Sequence, residues 1–200
     1  KAMGTLDQCT DEMVQLADVL LDLNRAELAL QWLDQAERRG GPSDGTRNLR
    51  AHAHYLLTEF DEAYAIYSAL SNRQPGNWGS AFMAAQCANS LELRELYMRR
   101  AVAAAPGRGT AHVGLANVLA EKGDFAGSRA ALLQAQQVLE AERVHPTNPR
   151  RTYLELAGVY EALGEPGKAT QARQQAAAYR TNPTGIDDTT LVGIARPLAR

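Results

Sequence analysis

Several features that would assign this chain to a class are scarce or missing. Its 200 residues include 2 cysteines, too few for a disulfide framework or a four-cysteine metal site. The 21 basic and 23 acidic residues give a formal net charge of -2, and nucleic acids and anionic membranes both favour a basic surface. No apolar run approaches the roughly 18 residues that span a bilayer. We therefore expect neither nucleic-acid binding nor membrane insertion.

The opening residues also lack the apolar stretch of a secretory signal. Because the chain starts with Lys1 and not with methionine, the possibility that a signal peptide was removed stays open. The cytoplasm is the favoured location, and the periplasm is the alternative.

Motifs that carry chemistry are missing as well. The sequence has no Gly-rich phosphate loop, nucleophile elbow or zinc-protease helix. His52 and His54 are two positions apart, so on a helix they point in different directions and cannot share a metal. His112 and His145 have no cysteine or carboxylate at ligand spacing. We predict no catalytic residue, no cofactor and no metal site, and hence no enzyme.

The sequence does contain a repeated turn. The segment GDFAGSRAALLQAQ, residues 123–136, places a Gly-Asp-aromatic turn ahead of a helical pattern, and related turns occur at 24–29, 59–63 and 164–169. Five units tile the chain: 10–43, 44–77, 78–108, 109–149 and 150–183. The first, second and fifth units have 34 residues, the third 31 and the fourth 41, close to a repeat period of about 34.

Small residues recur at fixed places in these units, as expected where two helices cross closely. The eighth place holds Ala17, Ala51, Ala85, Ala116 and Ala157. Each second helix begins and ends on further small residues, with Arg94 and Leu70 as exceptions: Ala29, Ala63, Ser128, Ala169, then Ala36, Ala101, Ala135, Ala176. Larger apolar residues at helical spacing surround them: Leu16, Leu20, Leu33, Leu115, Leu119, Leu132, Leu156 and Tyr160. The pattern predicts ten helices, two per unit, and no strand.

With this spacing, residues 10–183 resemble an array of tetratricopeptide repeats. The resemblance implies an all-α fold, an α–α superhelix or solenoid of stacked antiparallel helix pairs. Arg50 and His54 depart from it, because the family usually has apolar residues at those places. The richness in Ala, Arg and Leu indicates a bacterial source.

Three segments lie outside the regular pattern. Residues 1–9 form an N-terminal extension, and residues 138–151 lengthen the fourth unit by 7 residues. That lengthening is either loop variation or an extra contact point, made by Arg143, His145, Arg150 and Arg151. We expect residues 184–200 to be a C-terminal cap, with Asp187 or Asp188 beginning a short helix through Leu191, Val192 and Ile194. The alternatives are a linker or a strip that docks on another subunit.

The resemblance also implies a concave groove lined by the first helix of each unit at places two, five, nine and twelve. The predicted partner-binding residues at these places are Val14, Asp18, Leu21, Asn48, His52, Tyr55, Phe82, Gln86, Asn89, Val113, Asn117, Arg151 and Leu154. The same places also hold Asp11, Thr110, Ala120 and Glu161. Co-chaperones of this family that grip a terminal carboxylate resemble one another in a Lys and an Asn, of which only Asn117 is matched here. A partly apolar peptide, with its backbone held by amide side chains, is therefore the expected ligand.

The resemblance favours a non-catalytic protein-interaction scaffold or adaptor that binds a peptide segment or helix in this groove. Two alternatives stay open, a regulatory or targeting arm of a larger protein and a self-assembling homo-oligomer. We expect Cys87 to pack as a small apolar residue and to form no bridge with Cys9.

Overall fold

The computed structural model describes residues 2–144 and 148–179, with side chains described from residue 10 onward. This part of the chain contains ten α-helices and no strand. The helices are α1 (Ala2–Asp22), α2 (Ala26–Gly40), α3 (Asp44–Leu56), α4 (Phe60–Arg73), α5 (Trp78–Cys87), α6 (Leu91–Ala104), α7 (Gly109–Glu121), α8 (Phe125–Glu142), α9 (Pro149–Ala162) and α10 (Pro166–Ala178). The predicted all-α class and the ten helices are confirmed.

The repeated turn has a backbone cause. At four of the tight connections between helices, one residue adopts a left-handed conformation with positive φ: Asn24, Thr58, Gly123 and Gly164. Glycine and asparagine tolerate this conformation, whereas a β-branched residue such as Thr58 is strained in it. The Gly-Asp-aromatic signal at Gly123 is therefore the sequence trace of a left-handed residue that reverses the chain before the second helix.

Side-chain caps begin several of the first helices. Ser43 accepts a hydrogen bond from the backbone N–H of Thr46, and the Thr46 hydroxyl accepts one from the backbone N–H of Ser43. Asn77 and Asn148 cap α5 and α9 in the same way, by accepting from the backbone N–H three residues later. Such caps satisfy orphan N–H groups at helix starts and stop the preceding loop from extending the helix.

The chain divides into two compact units, residues 1–94 and 95–200. These are called the first and second units below, and the five units of the sequence pattern are called repeats. In the first unit the consecutive helices from α1 to α5 pack against one another, and α1 also contacts α3. In the second unit α7 packs on α8, α8 on α9 and α9 on α10, and α7 also contacts α9. Helix α6 spans the division between the units.

The small residues lie where the sequence predicts close helix crossings. The eighth-place alanines are at most 2% exposed: Ala17, Ala51, Ala85, Ala116 and Ala157. The small residues of the second helices are equally buried, as are the large residues Leu33, Leu132 and Leu156. One predicted core residue is wrong, because Leu16 is 38% exposed. No helix packs on its side of α1 in the described chain.

The two polar departures from the apolar pattern are compensated locally. The Arg50 guanidinium on α3 forms ion pairs with Asp34 and Glu37 of α2, both at 2.7 Å. His54 Nδ1 lies 2.6 Å from a carboxylate oxygen of Glu59. These contacts keep α2, α3 and the following turn together where the family pattern would use apolar packing.

The lengthened fourth repeat has an 18-residue second helix, α8. The second helices of the other repeats, α2, α4, α6 and α10, have 13 to 15 residues. Arg143 follows this helix and is exposed, and Arg150 and Arg151 lie in the first turn of α9. His145 and the whole C-terminal segment 184–200 lie outside the described residues.

Candidate binding surfaces

The first unit brings five predicted residues together on two first helices that contact each other, α1 and α3. Asp18 and Asn48 are exposed, whereas Val14, His52 and Tyr55 are half-buried. We call these five residues the α1–α3 surface. It presents a carboxylate, an amide, an imidazole and two apolar bodies to solvent, which suits the recognition of a polypeptide more than the chemistry of a small molecule.

The charge of the α1–α3 surface is negative. Burial lowers the pKa of His52, and the nearby carboxylates of Asp22 and Asp18 oppose that shift without reversing it. The imidazole is therefore uncharged at neutral pH. Asp11, at place two of the same helix, is also exposed.

An aromatic contact fixes one side of this surface. The ring of Tyr55 meets the ring of Phe60 edge to face, with their centroids 5.8 Å apart. Such a pair holds the Tyr55 ring in place, so that less conformational entropy is lost when a partner packs against it.

Three predicted residues are buried and offer almost no surface to a partner. Leu21, Phe82 and Val113 are 3%, 4% and 0% exposed. Places five and twelve fall on the packed side of some first helices in this chain, and α7 is buried along most of its length. The remaining first-unit candidates, Gln86 on α5 and Asn89 in the turn after it, are exposed.

The second unit contains a polar cluster that joins α7 and α9. Thr110 donates a hydrogen bond to the carboxylate of Glu155, at 2.9 Å to one oxygen. Arg151 donates to the same oxygen at 2.9 Å and to the Thr110 hydroxyl at 3.0 Å. The Glu155 side chain is 3% exposed. Arg151 therefore neutralises a buried carboxylate instead of presenting its charge to solvent.

This cluster forms one wall of a cleft of about 400 Å³. The other lining residues come from the loop before α7, the end of α8 and the start of α9: Gly107, Arg108, Gly109, Glu142, Asn148 and Thr152. Sequence reasoning chose Arg151 and Thr110 as residues of the concave groove and missed Glu155. The Arg-x-x-x-Glu spacing of 151 and 155, one turn of a helix, is the signal that could have found it.

The other second-unit candidates do not line this cleft. Asn117, Leu154 and Ala120 are half-buried, and Glu161 is exposed and paired with Arg173 of α10.

A second cleft of about 460 Å³ lies among α8, α9 and α10. Tyr160 donates a hydrogen bond to Glu140 at 2.8 Å, and burial together with this bond raises the pKa of Tyr160 to about 12. The Lys168 ammonium lies 5.5 Å from the Tyr160 ring centroid, and the rings of Tyr153 and Tyr179 stack at 6.0 Å. The sequence indicated this region only through the lengthened α8.

The environments of His112 and Cys87 are those of packed residues and not of a reactive site. His112 is buried, and its Nε2 lies 2.8 Å from the carbonyl oxygen of Pro106. Cys87 is buried and unpaired, and burial raises its pKa to about 11. Within residues 2–144 and 148–179, no group of three or more His, Cys, Asp or Glu side chains could hold a metal ion. None of the described helices is long and apolar enough to cross a membrane.

Comparison with known proteins identifies the fold. No protein-family model matches the sequence, and no curated protein matches it either. Among solved structures, the TPR protein TTC0263 of Thermus thermophilus is 19% identical, with a TM-score of 0.62 over 84% of this chain and 92% of that one. BtubC (BKLC) from P. vanneervenii is 16% identical, with a TM-score of 0.63 over 91% and 93%.

A third structure, YrrB, is a TPR protein with an unusual peptide-binding site; it is 15% identical, with a TM-score of 0.52 over 90% of this chain and 88% of that one. These identities are low, so the likeness concerns the fold alone. The chain has the tetratricopeptide repeat fold, and the resemblance predicted from the sequence is confirmed at that level.

Proposed function

We propose that this chain is a non-catalytic protein-interaction scaffold that binds a peptide segment or helix on the α1–α3 surface. The observation that carries the proposal is the placement of Asp18, Asn48 and His52 on two contacting first helices, with their polar groups half-buried or exposed. No bond between these three side chains holds the surface closed in the described structure. They are free to exchange water for a ligand.

The chemistry of the surface specifies the ligand. The Asn48 amide can donate to and accept from one peptide unit, as the backbone of an extended segment requires. Asp18 and Asp22 favour a basic side chain on the ligand, because the neighbouring His52 is neutral and does not offset their charge. Val14 and Tyr55 provide apolar contact. The expected partner is a protein segment that combines a basic residue with apolar ones.

Other residues extend the proposal. Gln86 on α5 and Asn89 after it are further proposed contacts in the first unit. Asn117, Arg151 and Leu154 form a separate proposed contact set in the second. Two facts support a protein partner over nucleic acid: the formal net charge of -2 and the presence of a peptide-binding site in YrrB, which shares the fold.

The proposal is tested with a displayed library of random peptides. The purified chain is used to enrich binders, and an enriched peptide is synthesised with a fluorescent label. Its dissociation constant is then measured by anisotropy for the wild type, Asn48→Ala and Asp18→Asn. The matched controls are Gln134→Ala on α8 and Asp61→Asn on α4, both at exposed positions.

We expect each surface variant to weaken binding by about fivefold or more, since residues that anchor an interface contribute more than about 1 kcal/mol. The controls should bind like the wild type. Equal affinity for all five proteins, or the enrichment of no peptide at all, would overturn the proposal.

A further inference from the structure

A row of large apolar side chains on α1 is exposed to solvent. Leu16, Val19 and Leu23 are 38%, 52% and 65% exposed. Leu16 and Val19 lie on one face of α1. Leu23 follows the last residue of the helix, and its spacing continues that face. Single exposed apolar residues are ordinary, whereas a contiguous row indicates a contact surface. We call these three residues the α1 row.

The same places are covered in the other four repeats. Leu16 and Val19 occupy the seventh and tenth places of the first repeat, residues 10–43. In the later repeats every residue at these places except Arg50 is buried. These residues are Ala53, Ala84, Cys87, Leu115, Val118, Leu156 and Val159. Arg50 itself is half-buried. The chain therefore uses this face of a first helix for packing wherever a repeat precedes it.

The structure also shows what covers this face. In the first unit, Arg50 of α3 is held by Asp34 and Glu37 of α2, the second helix of the preceding repeat. In the fifth repeat, Tyr160 of α9, which follows the tenth-place residue Val159, donates a hydrogen bond to Glu140 of α8, again the second helix of the preceding repeat. A helix is the regular occupant of this face. Helix α1 has no such neighbour in the described chain.

We propose that the α1 row is a self-association surface, at which α1 of a second copy packs antiparallel. Head-to-tail stacking would instead place α10 of a second copy on the row. The α10 residues that correspond to Asp34 and Glu37 are Gln174 and Ala177, and both are exposed. None of the described side chains within α10 is large, apolar and exposed. Tyr179, one residue past α10, is 47% exposed, but its ring stacks on that of Tyr153, so α10 offers no row that matches the α1 row.

A second α1 does complement it. A two-fold axis at Val19 sets Leu16 of one copy against Leu23 of the other, and the interface is the same patch on both subunits. Charge complementarity supports this direction. Exposed Glu12 precedes the row by one helical turn and exposed Arg25 follows it, so antiparallel packing brings opposite charges together at both ends. The inference stands apart from the peptide surface, because none of the residues in the row belongs to it.

The first test is the molar mass of the intact chain, measured by light scattering over a concentration series. The wild type is expected to rise to the mass of two chains, and Val19→Glu to remain at one. Leu133→Glu on α8, which starts from a similarly exposed apolar residue, should dimerise like the wild type. Circular dichroism melting checks that all three proteins are folded.

A wild type that stays monomeric at every concentration would overturn the proposal and assign the row to another occupant, such as a further repeat. A Val19→Glu dimer would overturn it as well. The position of the two-fold axis is tested with Val19→Cys in a Cys9→Ser background. Oxidation should link two copies through position 19, while the matched Leu133→Cys protein should stay unlinked. Equal linking of both, or no linking at position 19, would contradict a two-fold contact centred on Val19.

Discussion

Thr110 on α7 donates a hydrogen bond of 2.9 Å to the buried carboxylate of Glu155 on α9. The two residues are 45 positions apart in the sequence, and their contact joins two first helices. Arg151 completes the cluster by donating hydrogen bonds to both side chains. A buried polar group that lacks its partner is costly, so this contact makes α7 and α9 depend on each other. It also explains why Arg151, chosen from the sequence as a groove residue, has a structural task.

Removing the guanidinium is expected to destabilise the second unit. Arg151→Met leaves the Glu155 carboxylate buried without its cation, which costs about 3 kcal/mol in the free energy of unfolding. Urea unfolding followed by circular dichroism measures the change. Arg129→Met, at an exposed position on α8, is the control and should change stability by less than about 0.5 kcal/mol. Equal losses for the two variants would show that the buried carboxylate does not need Arg151.

Gly109, the first residue of α7, and Gly107 in the turn before it are expected to differ sharply when each is changed to alanine. A Cβ added at Gly109 would collide with the Leu139 side chain of α8, whereas one added at Gly107 would meet no atom within 4 Å. Gly109→Ala should therefore destabilise the protein by about 1 to 3 kcal/mol through overpacking. Gly107→Ala should be close to neutral. Thermal unfolding of the two variants checks this, and a similar melting temperature for both would contradict the packing of α8 on α7.

The strained turn residue Thr58 offers a stabilising change. Its φ of 63° lies in the left-handed region, which costs a non-glycine residue about 1 to 2 kcal/mol. Thr58→Gly should raise the free energy of unfolding by about 0.5 to 1 kcal/mol after the entropy cost of glycine. The reciprocal variant Gly123→Ala, with a φ of 83° and no atom near the new Cβ, should lose stability. A destabilised Thr58→Gly protein would mean that threonine contacts outweigh backbone strain.

The buried imidazole of His52 predicts a loss of stability in acid. Burial lowers its pKa in the folded chain from the ordinary value of 6.5, so the unfolded chain binds the proton more readily. The stabilisation is complete above pH 6.5 and is lost as the pH falls through the folded-state pKa. Urea midpoints at about pH 7.5 and about pH 5 measure it. His52→Gln should show a smaller drop between these pH values, and an equal drop would contradict the role of burial.

The sequence predicted the repeat pattern well because small residues at helix crossings leave a regular trace. Ala17 and Ala51 are 34 positions apart, and both are fully buried. The prediction for Leu16 was wrong because its place is buried only when a helix of a preceding repeat covers it. Repeat periodicity predicts equivalent environments only where each repeat has the same neighbours, and none of the described helices covers the place of Leu16.

The candidate sites were harder to predict. Place numbers along a repeat give the face of a helix but not how tightly the next helix packs on it. Phe82 and Val113 were therefore chosen although they are buried. Glu155 was missed because its partner Thr110 is distant in sequence. Contacts of this kind are set by helix packing, which a single sequence does not reveal.

The most direct test of the central claim is a nuclear magnetic resonance titration of the isotope-labelled chain with a peptide enriched from the display library. Binding on the α1–α3 surface predicts that the largest amide shift changes fall at Asp18, Asn48, His52 and their neighbours in α1 and α3. Shift changes confined to the second unit, in the cleft beside Tyr160 or near Arg151, would contradict the proposed site.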